Sequence, residues 1–263
     1  MLKKPIEAVR IAWLALHTVY FDLLREDPNR VSVDARCSIR EASFHISDAH
    51  ELKVASLVDW LGSITEVPED VVMPAEVAPG NANEGVGTMA YFHTLALLCR
   101  AIKPKQIVEF GTFLGLGTAT MAMNCDAEIL TIDLPDSSQA GENQSLNEAD
   151  QLLVTHSRNR VGSFYAGKPI SRRIREIRCD SRGLDLKQHV SSAELCLVDG
   201  GHSYECIRAD TDNAFRVITP GGIIVWDDYS WLYPDVVRYL NEKARSGMTL
   251  VRIKGTNLVV HRT

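Results

Sequence analysis

The sequence predicts an α/β chain organised on an open, mostly parallel sheet, and three observations carry that prediction. Residues 107–118 read as a buried strand (Ile107, Val108, Phe110), a glycine turn (Gly111, Gly115, Gly117) and a helix start. Glycines remove side chains where a ligand approaches the backbone, and the new helix opens with free N–H groups. Beyond this stretch, strand-like and helix-like patterns alternate as far as Asp228. Each later strand in that alternation ends in a carboxylate: Asp133, Asp180, Asp199 and the pair Asp227 and Asp228. Ligands of an open parallel sheet bind beyond the carboxyl ends of the strands, near the reversal of strand order, so these acids are expected to converge on one rim.

A chain of 263 residues can bury a sizeable core and exceeds one small domain, which implies an enlarged domain or a domain with an appendage. With 45% hydrophobic and 24% charged residues it has the balance of a soluble globular protein. Its net charge of −6 argues against nonspecific attraction to nucleic acid or an anionic membrane. Cys37, Cys99, Cys125, Cys179, Cys196 and Cys206 are scattered with no C-x-x-C pair. They read as reduced core thiols of a cytosolic (cytoplasmic) protein, not as a disulfide frame or zinc site.

Taken in order, Lys3 and Lys4 precede an apolar run at 11–16, but Glu7 and Arg10 interrupt it and no cleavage pattern follows. The run is too short and too charged to span a bilayer. Ile6, Val9, Trp13, Leu16, Tyr20 and Leu23 instead predict an amphipathic helix from Pro5 to about Glu26. It packs on its own domain, or serves as a dimer contact or active-site cover. Asp48 with Glu51 three residues later predicts a second helix through Leu52, Ala55, Val58 and Leu61, closed by Gly62. Between Pro68 and Gly87 periodicity gives way to Pro, Gly and Asn, which divides the chain into a helical appendage and loop, 1–83, and a main domain, 84–263.

Thr88 opens a third helix that runs to Ile102, ahead of Pro104. Strands are then expected at 129–134, 173–179, 195–198 and 223–226, with a helix at 204–217 stopped by Pro220-Gly221-Gly222. The end of the chain, 249–254 and 258–261 about Gly255-Thr256-Asn257, reads as a hairpin. The segment between Pro135 and Lys168, rich in Asn, Ser, Gln and Gly, is the expected place for a substrate cover. The basic run Lys168, Arg172, Arg173, Arg175 and Arg178 reads as a solvated face, with recognition of an acidic or phosphorylated acceptor as the alternative.

The glycine turn has the spacing Glu109-x-Gly111-x-x-x-Gly115-x-Gly117, not the G-x-G-x-x-G of dinucleotide folds. No glycine pair lies tight against a pyrophosphate, and Glu109 would repel an anion. A cationic ligand suits the turn of Gly111, Thr112, Gly115 and Gly117 better. Asp133 is placed to accept from ribose hydroxyls, and Asp180 one strand further could reach an adenine amine. These residues resemble the motifs of class I S-adenosylmethionine-dependent methyltransferases over roughly 84–263. Within that superfamily, Leu197-Val198-Asp199-Gly200-Gly201-His202-Ser203-Tyr204-Glu205, Pro220-Gly221-Gly222 and Val225-Trp226-Asp227-Asp228-Tyr229 are similar to a bacterial group related to macrolide-sugar O-methyltransferases and, more distantly, to catechol O-methyltransferase. The resemblance implies a Rossmann-like, seven-stranded, mostly parallel sheet in the order 3-2-1-4-5-7-6, with the hairpin as its last two strands and S-adenosylmethionine as cofactor.

Methyl transfer from a sulfonium needs an aligned and deprotonated acceptor oxygen. In the metal-dependent relatives a divalent ion lowers the hydroxyl's pKa and orients it, and oxygen-rich sets suit magnesium. By the resemblance, Asp199, Asp227 and Asp228 match the metal positions, Asp199 also borders the cofactor, and His202 stands where relatives carry a basic residue near the acceptor. A neutral imidazole there could take the acceptor's proton. His202 could equally cap the helix starting near Ser203, and one acid of the Asp227–Asp228 pair could simply satisfy backbone donors. The expected function is O-methylation of a hydroxyl on a small molecule or glycosyl unit with magnesium, without nucleic acid or membrane, and with the N-terminal helices as a candidate homo-oligomer contact. A noncatalytic or regulatory S-adenosylmethionine-binding protein is the alternative, and the glycine spacing disfavours an NAD-dependent oxidoreductase.

Overall fold

A computed structural model describes residues 51–77, 89–135, 148–157, 159–230 and 232–263. The helix read from Pro5 to Glu26, Asp48, Cys37 and residues 136–147 of the expected cover lie outside the described residues. The strands are β1 (Lys53–Ala55), β2 (Gln106–Phe110), β3 (Glu128–Asp133), β4 (Ile174–Arg178), β5 (Ala193–Val198), β6 (Ile218–Trp226), β7 (Val251–Ile253) and β8 (Val259–Arg262). The helices are α1 (Leu57–Gly62), α2 (Met89–Ile102), α3 (Leu116–Asn124), α4 (Glu148–Ser157), α5 (Tyr204–Val217) and α6 (Pro234–Arg245).

All eight strands form one sheet in the order β1-β7-β8-β6-β5-β2-β3-β4. Counting from β2 as the first strand and reading from the β4 edge, the expected order 3-2-1-4-5-7-6 is present. The count of seven is corrected to eight, because β1 adds parallel to β7 with Lys53 opposite Val251 and Ala55 opposite Ile253. Only β8 runs antiparallel to its neighbours, as the predicted terminal hairpin requires.

The eighth strand also displaces the start of the second predicted helix. Residues 53–55 are extended, and α1 begins at Leu57 with Ser56 as its cap, the Ser56 hydroxyl accepting from Asp59 N at 3.0 Å. Ser56-x-x-Asp59 is the cap the chain uses; the edge of β7 supplies backbone partners to the residues just before it. Gly62 ends α1 as expected.

Alternation along the strands sorts the core into two layers. Ile107, Ile129, Leu195, Leu197, Ile223 and Val225 face α1, α2 and α3. Val108, Phe110, Leu130, Ile132, Cys196, Val198, Ile224 and Trp226 face α5 and α6. This sidedness puts Glu109 and Thr131 on the α3 face, and it makes β2 the place where strand order reverses: β3 and β4 lie to one side, β5 and β6 to the other.

Among the described residues Cys99, Cys125, Cys179, Cys196 and Cys206 are free thiols. No helix among them is long and apolar enough to cross a membrane. Three members of the basic run are spent within the chain. Arg173 donates to the carbonyls of Ala122, Cys125 and Ala127 at the end of α3, Arg175 to His189 O, and Arg178 pairs with Glu176.

Candidate active site

The register of the sheet builds the rim. Phe110 pairs with Ile132 on one side and Val198 on the other, and Val198 pairs with Trp226. The next residue on each strand is therefore Gly111, Asp133, Asp199 and Asp227, side by side. Backbone bonds carry the alignment one step past the strands: Gly111 N donates to Ile132 O, Asp199 N to Phe110 O, and Asp227 N to Val198 O. The predicted convergence of strand-end acids thus divides into two walls about β2, with Asp133 and Asp180 on one and Asp199, Asp227 and Asp228 on the other.

On the first wall the glycines answer to the protein's own packing. A Cβ on Gly111, whose φ is +92°, would lie 1.8 Å from the Asp199 carbonyl oxygen. One on Gly115 would lie 2.5 Å from the Tyr165 ring, and one on Gly117 would lie 3.3 Å from the Tyr91 hydroxyl. Gly162 N and Phe164 N donate to Phe113 O and Leu114 O, so the 159–166 segment lies along the turn. Asp133 Oδ2 accepts from Thr112 N and Phe113 N at 3.0 and 2.7 Å, and Oδ1 from Leu134 N at 2.7 Å. Burial raises its carboxyl above the usual range against these bonds.

Glu109 lies beneath the turn, only 2% exposed, and one of its oxygens accepts from both Thr118 and Thr131 hydroxyls at 2.5 and 2.6 Å. Burial pushes its pKa up to about 7, against the pull of those two bonds. Thr112 joins the same chain of hydroxyls through Thr131 at 2.6 Å. Asp180 caps the short turn Ser181–Gly183 and pairs with Arg182 at 2.5 Å, a partner that holds its carboxyl below the ordinary value.

The second wall is an acid cluster with one imidazole in it. Asp199, Asp227 and Asp228 each offer a carboxylate oxygen, all within 4.8 Å of one another. Tyr91, on α2, donates its hydroxyl to Asp199 Oδ2 at 2.6 Å. Burial, then the charges of Asp227 and Asp228, push the Asp199 carboxyl well above the carboxylate range. Asp228 adopts a left-handed backbone, φ +61°, which turns the chain away from β6. His202 is 8% exposed and stacks on Tyr233 at 4.0 Å and 20°. Its Nε2 meets Asp228 Oδ2 at 2.6 Å and its Nδ1 meets Asp150 Oδ1. Burial would lower its pKa, but the charges and hydrogen bonds of Asp150 and Asp228 outweigh burial and raise it well above the usual value. These partners favour the charged imidazole over the neutral form that accepting a proton needs. The cap of α5 is Ser203, whose hydroxyl accepts from Cys206 N, so His202 is free of that duty.

Residues 108–229 match the family described as “Methyltransferase domain”. Over that segment the chain is similar to methyltransferase domains. Among curated proteins none matches the sequence. The solved structure of the O-methyltransferase NovP is 15% identical, covers 78% of this chain and 95% of its own, and superposes with a TM-score of 0.53. The methyltransferase PaMTH1 of Podospora anserina, solved with SAH bound, is 16% identical, covers 90% of this chain and 94% of its own, and has a TM-score of 0.50. At such identities these two structures show the shared fold.

Sequence reasoning missed Asp150, Tyr91 and Tyr233. Tyr91 lies within the helix expected over 88–102 with nothing local to mark it, and Asp150 lies inside the segment between Pro135 and Lys168 expected to cover the substrate. Their contacts span 108 residues (Tyr91 to Asp199) and 52 residues (Asp150 to His202), which no local pattern encodes.

Proposed function

We propose that this methyltransferase transfers the methyl group of S-adenosylmethionine to a hydroxyl of a small molecule or glycosyl unit, with a divalent cation such as magnesium assisting. The observation that carries the reading is the approach of three carboxylates within 4.8 Å beside His202, across the rim from the glycine turn. Repulsion within that cluster is visible in the raised Asp199 carboxyl, and a cation relieves it. An all-oxygen donor set suits magnesium and disfavours zinc or copper. Asp199, Asp227 and Asp228 would hold the ion, which when bound supplies acidification and orientation of the acceptor hydroxyl.

On the other wall, Gly111, Thr112, Gly115 and Gly117 with Glu109 beneath them are the proposed seat of the cofactor's aminoacyl end. Asp133 is the proposed ribose partner, Asp180 borders the adenine side, and Asp199 lies between cofactor and acceptor. Tyr91 holds Asp199 by its hydroxyl. His202 Nε2 is the proposed proton acceptor. That work requires its bond to Asp228 Oδ2 to be exchanged for one to the acceptor hydroxyl and its own proton to leave first. A cytoplasmic location and self-association through the N-terminal helices complete the proposal.

The test is formation of S-adenosylhomocysteine from S-adenosylmethionine, magnesium and a panel of hydroxylated acceptors. Product is expected only with the cation present and is lost on chelation. Asp227→Asn and Asp228→Asn should each remove most turnover, and His202→Gln should lower it by roughly 10²-fold. Chelator-insensitive turnover surviving in both aspartate variants would dispose of the cation. Calorimetric binding of S-adenosylmethionine with no product from any acceptor would leave the noncatalytic binding protein instead.

A further inference from the structure

The imidazole of His202 is gripped from behind by one carboxylate whose position the acid wall does not itself determine. Asp150 sits in the first turn of α4 and is 4% exposed. Its Oδ1 meets His202 Nδ1, and its Oδ2 accepts from the backbone N of His202 at 3.2 Å. Both oxygens of one side chain thus contact one residue, fixing ring and main chain together. A carboxylate on Nδ1 selects the tautomer and aims the opposite nitrogen, here Nε2 toward Asp228 Oδ2. Tyr233, stacked on the ring, removes its remaining freedom to rotate.

The other end of α4 rests on the cofactor wall. His156 stacks on Phe113, in the glycine turn, at 5.9 Å and 22° between ring planes. Phe113 itself has a left-handed backbone, φ +49°, and its N–H is held by Asp133. One ten-residue helix therefore touches the glycine turn at its last turn and the acid wall at its first.

We propose that Asp150 is a positioning residue for methyl transfer: it orients His202, and through α4 it fixes the acid wall relative to the cofactor turn. This rests on the reading of His202 as the acceptor-side base. Asp150→Asn preserves shape and can still accept one hydrogen bond, but it loses the charge and the two-oxygen grip on Nδ1 and the backbone. Turnover should fall by about 10–100-fold, the span typical when a histidine loses its orienting carboxylate, with KM for S-adenosylmethionine unchanged.

A residue that merely stabilised the fold would lower the melting temperature and act independently of His202. Asp150→Asn is instead expected to cost nothing further in a His202→Gln background, because residues acting as one unit are not additive. Thr155→Ala, on the exposed side of the same helix, serves as the control and should leave turnover unchanged. A second readout needs no acceptor: in protein labelled with ¹⁵N-histidine, the Nδ1 proton of His202 should give a resolved, far-downfield resonance that Asp150→Asn abolishes. If no acceptor is ever methylated, the methylation reading fails and the resonance still decides the orientation by Asp150. Additive losses in the double variant, or a resonance that survives Asp150→Asn, would overturn the proposal.

Discussion

Asp210, on α5, shows what burial does to a single carboxyl in this fold. It is 1% exposed, its Oδ1 has no hydrogen-bond partner among the described residues, and its Oδ2 lies 2.8 Å from where a Cβ on Gly200 would be. Burial first, then the charge of Asp180, push its pKa up to about 7 against a bond from Ser181. In the unfolded chain the same group titrates near the ordinary aspartate value, so between about pH 4 and 7 the folded state binds the extra proton. Stability from this group is therefore present at low pH and lost as pH rises through about 7. Asp210→Asn should flatten that slope and make the protein more stable than the parent at pH 8, by on the order of 4 kcal/mol at most. Urea denaturation at pH 5 and pH 8 measures it, and equal slopes in parent and variant would exonerate Asp210. Glu109, also raised to about 7 by burial, leaves a residual slope in the same direction. The strand-end acids could be read in the sequence because strand ends show as breaks in hydropathy. Asp210 could not, because a polar residue within a helical pattern reads as solvent-facing until the helix is docked.

At the scale of elements, the glycine turn is legible as a turn but not as a junction. Spacing in the sequence locates Gly111, Gly115 and Gly117 and reads them as room for a ligand. In the structure Gly111 is required because the β5 backbone passes directly over it, at a φ of +92°. The nearest atoms to a Cβ on Gly117 would be side-chain ends, the Tyr91 hydroxyl and the Glu109 carboxylate at 3.3 and 3.4 Å and Leu95 Cδ1 at 3.8 Å. The two positions should therefore respond differently to the same substitution. Gly111→Ala should cost at least about 3 kcal/mol, since the backbone of Asp199 cannot yield and the left-handed conformation adds its own penalty. Gly117→Ala should cost about 1 kcal/mol or less, because side-chain ends can shift by a few tenths of an ångström. Chemical denaturation compares them, and similar losses would show that the β2–β5 junction is softer than its geometry implies. The element boundaries that sequence missed have the same origin. Strand β1 depends on the edge of β7 two hundred residues away, and α4 has too short an apolar pattern to be read without its docking partners.

Across the whole molecule, the change of sequence character near residue 84 is not matched by a change of sheet. Before it, β1 pairs with β7, Leu57, Leu61 and Val77 lie in the core beside α2, and Val72 exchanges two hydrogen bonds with the Asn124 amide at 2.8 and 2.7 Å. Glu51 adds a pair with Arg245 and a bond from its N–H to the Tyr229 hydroxyl. Proline- and glycine-rich sequence announces a loop, and only the pairing of distant strands shows that residues 53–55 before it share the sheet of the residues after it. Each buried Leu or Val contributes roughly 1.5–3 kcal/mol, against a net stability on the order of 5–15 kcal/mol for a domain. Removing three of them and baring the β7 edge should thus exhaust most of the margin, and an open strand edge invites association. A chain of residues 84–263 is expected to aggregate or to melt without cooperativity. One beginning at residue 51 keeps every strand among the described residues and should retain the sheet. Size-exclusion chromatography and circular dichroism melts of the two fragments distinguish the cases. A monomeric 84–263 fragment with the cooperative melt of the longer chain would make residues 51–83 a true appendage, and β1 an ornament on a sheet complete with seven strands.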